Sequence, residues 1–124
     1  MLKIAATIFT VRDLMASIAY YHDKMGFEVT FQYGEPPFYA CLCRDEVSLH
    51  LRDANKNPEW VAGNGAIAVF VDEVDALHAD MVERGAAVIK APRDYAYGMR
   101  DFDVADPDGN HLTFGMESRV AREG

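Results

Sequence analysis

"DLMASIAYYHDKMG", residues 13–26, has a counterpart in "DEVDALHADMVERG", residues 72–85, and the fold follows from that pairing. Leu14, Ile18, Tyr21 and Met25 recur at helical spacing in the first, as Val74, Leu77 and Met81 do in the second. Asp13 stands where an N-cap belongs, Lys24 suits a last turn and Gly26 a C-terminal stop. In the second segment Asp72 is expected to cap, with Asp75 answering it as in a capping box, while Arg84 fills the last turn and Gly85 stops the helix. Cap and stop are thirteen residues apart in both. The chain is therefore read as a duplicated unit.

Working outward, the β-rich runs "ATIFTVRDL" at 6–14 and "AIAVFVDEV" at 66–74 lead into the two helices. Three further strand signals follow each: "FEVTFQY", "FYACLCR" and "VSLHLR" in the first half, "AAVIKA", "MRDFDVA" and "NHLTFGM" in the second. Each half thus reads β-α-β-β-β, repeat one at 4–52 and repeat two at 66–117. Residues 53–65, "DANKNPEWVAGNG", are rich in turn formers and form the linker. "ESRVAREG", residues 117–124, is read as a polar tail.

With 124 residues, 50% of them hydrophobic, the chain supports one compact α+β domain. Its 12 Lys+Arg against 20 Asp+Glu give a formal charge of -8, which repels phosphate backbones and anionic membranes, so neither nucleic acid nor membrane is an expected partner. No apolar run reaches membrane-spanning length and no secretory signal is evident, which places the chain in the cytoplasm. Cys41 and Cys43 project from one strand face, a poor geometry for a disulfide, and reduced thiols fit that compartment. Neither has a Cys or His partner close in sequence to complete a zinc set, so packing is their default role.

Strand alternation assigns the faces. Val47, Leu49 and Leu51 should pack on a helix, leaving Ser48, His50 and Arg52 opposite; Leu112, Phe114 and Met116 do the same for His111 and Thr113. Ile67, Val69 and Val71 face a helix, so Ala66, Ala68 and Phe70 point away, as Ala6, Ile8 and Thr10 do in the first half. The fold expected is a curved mixed sheet with helices on its outer face and a concave cavity on the other, a form suited to a small molecule.

The paired halves, "TVRDLMASIAYYHDKMGF" and "DVADPDGNHLTF" resemble the vicinal oxygen chelate superfamily, which includes glyoxalases, extradiol dioxygenases and bleomycin-resistance proteins. The resemblance spans roughly residues 4–116. Metal-dependent members take His, Glu or Gln ligands from the first and last strands of each half. Carried over, those positions are Ala6, His50, Ala66 and Thr113, of which only His50 is a good ligand. The resemblance is closest to the bleomycin-resistance branch, and it implies a metal-free binding protein, without cofactor, that sequesters an aromatic or drug-like molecule as a homodimer.

Matching places in that branch put ligand-stacking rings at Phe31, Tyr39 and Tyr97. Ser48, His50, Arg52 and Thr113 line the same expected cleft, with Arg100 and Phe102 from the "MRDFDVA" strand and Trp60 at the rim. Glu35, Asp101 and Asp103 favour a cation there, whereas Arg52 and Arg100 favour an anionic or neutral ligand. Two enzymatic alternatives stay open. One is a lyase, isomerase or dioxygenase holding a metal through His50, His111 and Asp101 or Glu117; the other is metal-free acid–base catalysis by His50, the one catalytic candidate. His22 and His78 fall on helices and carry no assigned role.

Overall fold

The computed structural model describes residues 1–120, so the last four residues of the polar tail lie outside the described part. Strand β1 (Thr7–Val11) leads into helix α1 (Leu14–Met25), then β2 (Glu28–Tyr33), β3 (Tyr39–Arg44) and β4 (Val47–Asp53). A 3-10 turn at Ala54–Lys56 opens the connection to β5 (Ala66–Phe70), α2 (Val74–Arg84), β6 (Ala87–Asp94), β7 (Met99–Ala105) and β8 (His111–Glu117). The architecture is α+β, with two four-stranded mixed sheets ordered β1-β4-β3-β2 and β5-β8-β7-β6. In each sheet the first strand runs parallel to the last, and the other pairs are antiparallel.

The helix ends follow from local chemistry, with one exception. The Asp13 carboxylate accepts from the Ala16 amide, and Gly26 and Gly85 take the left-handed backbone that closes a helix without a Cβ clash. Asp72 does not cap α2. The capping position is Glu73, whose side chain makes no cap bond, and no capping box forms. Asp75, the expected answering residue, instead accepts two hydrogen bonds from Arg100, and Glu73 at the capping position accepts two from Arg119.

Each helix packs on its own sheet and on the other helix, and one apolar core joins both halves through Phe9, Tyr21, Leu49, Met81, Phe102 and Leu112. Polar contacts lock the halves together. The Tyr20 hydroxyl donates to the Ala105 carbonyl at 2.9 Å and accepts from the Ala87 amide at 2.8 Å. Asn110, fully buried, donates to the Thr10 carbonyl and to Asp106 while accepting from the Gly65 amide. The two helices meet each other, and the helix-distal faces of the sheets carry exposed side chains such as Ile8, Phe31 and Phe70.

Candidate functional site

On the β1-β4-β3-β2 sheet the register sets two rows across the helix-distal face. Ile8, His50, Cys41 and Phe31 stand in one, and Thr10, Arg52, Tyr39 and Tyr33 in the next. A bulge between Val29 and Phe31 keeps Phe31 and Tyr33 in phase with this face, where they stack at 6.5 Å and are 54% and 60% exposed. Rings this open on a rigid sheet leave apolar surface that folding does not use.

Behind the rings the polar groups are organised. Tyr39 Oη lies 2.7 Å from His50 Nδ1, and the two rings meet edge-on. Arg52 donates from Nε to Thr10 Oγ1 at 2.8 Å, and its guanidinium carbon sits 4.0 Å from the Trp60 ring centroid, so linker and face are joined. Ser48 pairs across the strands with Cys43, and both cysteines are free and half-buried. Burial raises the pKa of the Cys41 thiol, which disfavours the thiolate.

The face of the β5-β8-β7-β6 sheet is more acidic. Thr113 is half-buried between Ala68 of β5 and Asp103 of β7. Asp103 faces Lys90 at 3.7 Å, and one of its oxygens is buried without a hydrogen-bond partner. Tyr97 stacks on Tyr95 at 5.1 Å, nearly parallel, and donates to the buried Asp101 at 2.9 Å. Burial and this carboxylate raise the pKa of the Tyr97 phenol.

Two of the residues expected at the cleft are elsewhere. Phe102 is fully buried, stacked on Phe114 and met edge-on by His78, because in β7 the apolar phase of Phe102 and Val104 is the one that meets the core. Arg100 shares that phase and pairs with Asp75 at the start of α2 and with Asp94 at the end of β6. Phe31, Tyr39, Ser48, His50 and Arg52 come together on the first sheet, with Trp60 against Arg52; Thr113 lies on the second and Tyr97 in its β6–β7 turn. Tyr33 and Tyr95 were missed, although Tyr33 shares the two-residue period of Phe31.

The two helix-distal faces belong to separate four-stranded sheets that do not close into a barrel. A hollow of about 460 Å³ lies beside the edge of β5, between Asp45 and Glu46 of the β3–β4 turn and Val69, Phe70, Leu77 and Met81. The alternative metal set is not assembled: His50 is on one sheet and Asp101, His111 and Glu117 on the other. Among the described residues no three His, Cys, Asp or Glu side chains are placed to share an ion. No described helix is long and apolar enough to cross a membrane.

The repeated strand order and the paired helices define a duplicated βαβββ protein. The chain belongs to the glyoxalase/bleomycin resistance protein/dioxygenase superfamily, whose profile matches residues 3–114. A bleomycin resistance protein of Geobacillus stearothermophilus is 30% identical over 120 residues, covering 84% of this chain and 89% of that protein. TnmS3, an antibiotic binding protein from Streptomyces sp. CB03234, matches with a TM-score of 0.74 at 27% identity, over 95% of this chain and 99% of its own. A glyoxalase/bleomycin resistance protein from Catenulispora acidiphila DSM 44928 gives a TM-score of 0.74 at 30% identity, over 92% and 97%.

Proposed function

We propose that this protein binds and sequesters a small aromatic or drug-like molecule without metal and without transforming it. The observation that carries this is the exposed, stacked Phe31–Tyr33 pair on a face whose polar groups are already ordered behind it. Ala6, Ala66 and Thr113 stand where chelating relatives would supply ligands, which supports recognition by shape, stacking and hydrogen bonding. The bleomycin resistance and antibiotic binding relatives support the same class of ligand.

Two copies complete the site. The two faces of one chain belong to separate sheets, and Phe70 at the end of edge strand β5 is 80% exposed beside the hollow. A second chain docked along that edge would bring its first-sheet face beside the acidic face of the first, giving a cleft shared by two subunits. Light scattering on the eluting protein should give twice the 13.8 kDa of one chain.

Isothermal titration with bleomycin and a panel of flat aromatic compounds tests the function. Saturable binding with the ligand recovered unchanged is expected. Absence of binding across the panel, or recovery of a converted product, overturns the proposal.

A further inference from the structure

The Tyr39–His50 contact fixes where a proton resides. A phenol is a stronger hydrogen-bond donor than a neutral imidazole N–H, and a bare imidazole nitrogen accepts better than a phenol oxygen. With 2.7 Å between Tyr39 Oη and His50 Nδ1, this asymmetry favours the arrangement in which the hydroxyl donates to a bare Nδ1 and the neutral ring carries its proton on Nε2. Burial and the nearby Cys41 raise the pKa of Tyr39 against the opposing effect of Arg52, which keeps the donor protonated. The edge-on ring contact, at 5.4 Å and 77°, restrains the imidazole plane.

Nε2 itself is neither hydrogen-bonded nor sealed among the described residues. Its cross-strand neighbours are Ile8 and Cys41, an alkyl group and a weakly accepting thiol, so the face offers this donor no strong partner. The nearby cation, Arg52, is engaged by Thr10 and Trp60. Phe31 stands in the same row two strands away, about 10 Å at ordinary strand spacing. That separation is the length of two or three fused rings.

Resting on the ligand-binding reading of this face, we infer that His50, held by Tyr39 as its Nε2–H form, donates a hydrogen bond to an uncharged acceptor at the edge of the ligand. The ligand is a planar, ring-fused molecule bearing a carbonyl, with its body on Phe31 and its oxygen at His50. His50 is then a specificity residue and Tyr39 a positioning residue.

Two measurements test this. Long-range proton–nitrogen NMR of the nitrogen-15-labelled protein, recorded well above the ordinary imidazole value of about 6.5, reads the tautomer directly. The Nε2–H form is expected for His50, and a mixture of forms in Tyr39→Phe. Titration with 9-fluorenone and with fluorene, which differ by the carbonyl, should show fluorenone bound about threefold to tenfold more tightly. The preference should vanish in His50→Phe and shrink in Tyr39→Phe. Equal affinity for the two compounds in the unmodified protein, or an Nδ1–H spectrum, overturns the inference while leaving aromatic binding intact. Binding of neither compound overturns the ligand-site reading as well, whatever the tautomer.

Discussion

Tyr21 and Asp106, eighty-five positions apart, are hydrogen-bonded at 2.9 Å with both side chains buried. The same carboxylate accepts from the Asn110 side chain and from the amides of Asp108 and Asn110, so α1 of one half is tied to the β7–β8 turn of the other. Tyr21→Phe removes one donor and leaves the carboxylate buried. A loss of about 1.5–3 kcal/mol in unfolding free energy is expected, measured by urea denaturation.

Alkaline pH should expose the same contact. Burial and the adjacent Asp106 push the Tyr21 phenol well above its ordinary value, and burial also raises Tyr20. The folded chain then holds protons that the unfolded chain releases above about pH 10. Stability is complete below that pH and falls above it by about 1.4 kcal/mol per unit for each such phenol. Urea midpoints between pH 9 and 11 should show a shallower decline in Tyr21→Phe than in the unmodified protein.

Gly65 sets the approach of the linker to β1. A Cβ there would stand 2.4 Å from the Phe9 ring and 2.9 Å from the Asn110 side-chain oxygen. Gly65→Ala forces a fully buried ring or its polar neighbour to move, and a cost of about 1–3 kcal/mol is expected. A thermal melt showing no change would contradict this packing.

Phe31→Ala and Phe102→Ala should part company. The first removes an exposed ring, so stability should change by no more than about 0.5 kcal/mol while aromatic affinity falls severalfold. The second empties the core, at about 3–5 kcal/mol. Titration and denaturation performed on both variants distinguish a binding face from a core position.

Chelation should leave binding untouched. Protein dialysed against EDTA and passed into metal-free buffer is expected to bind its aromatic ligand with unchanged affinity and to melt at the same temperature. A loss of binding restored by zinc or manganese would reverse the assignment made from Ala6, Ala66 and Thr113.

The duplicated helices were legible because their stops depend on local chemistry: Gly26 and Gly85 both adopt the left-handed backbone that a Cβ disfavours. Strand phase was legible for the same reason, since alternation of Leu49 and Leu51 with Ser48, His50 and Arg52 needs no knowledge of neighbours. Phe102, expected at the cleft, is instead core: its alternation with Asp101 and Asp103 puts it in the apolar phase of β7 with Val104. The α2 cap could not be read, because Asp72, Glu73 and Asp75 compete locally and the distant Arg100 and Arg119 decide between them. Nor does periodicity say what covers a helix, so the meeting of α1 with α2 appears only in the fold.

The core lies on the helix side of each sheet, and the opposite side of the first sheet carries Phe31 and Tyr33 as removable fittings on a frame that stands without them. Exchange of such exposed rings costs folding little. Under the ligand-binding reading proposed above, single substitutions at these rings would shift selectivity from one guest to another with no debt of stability to repay.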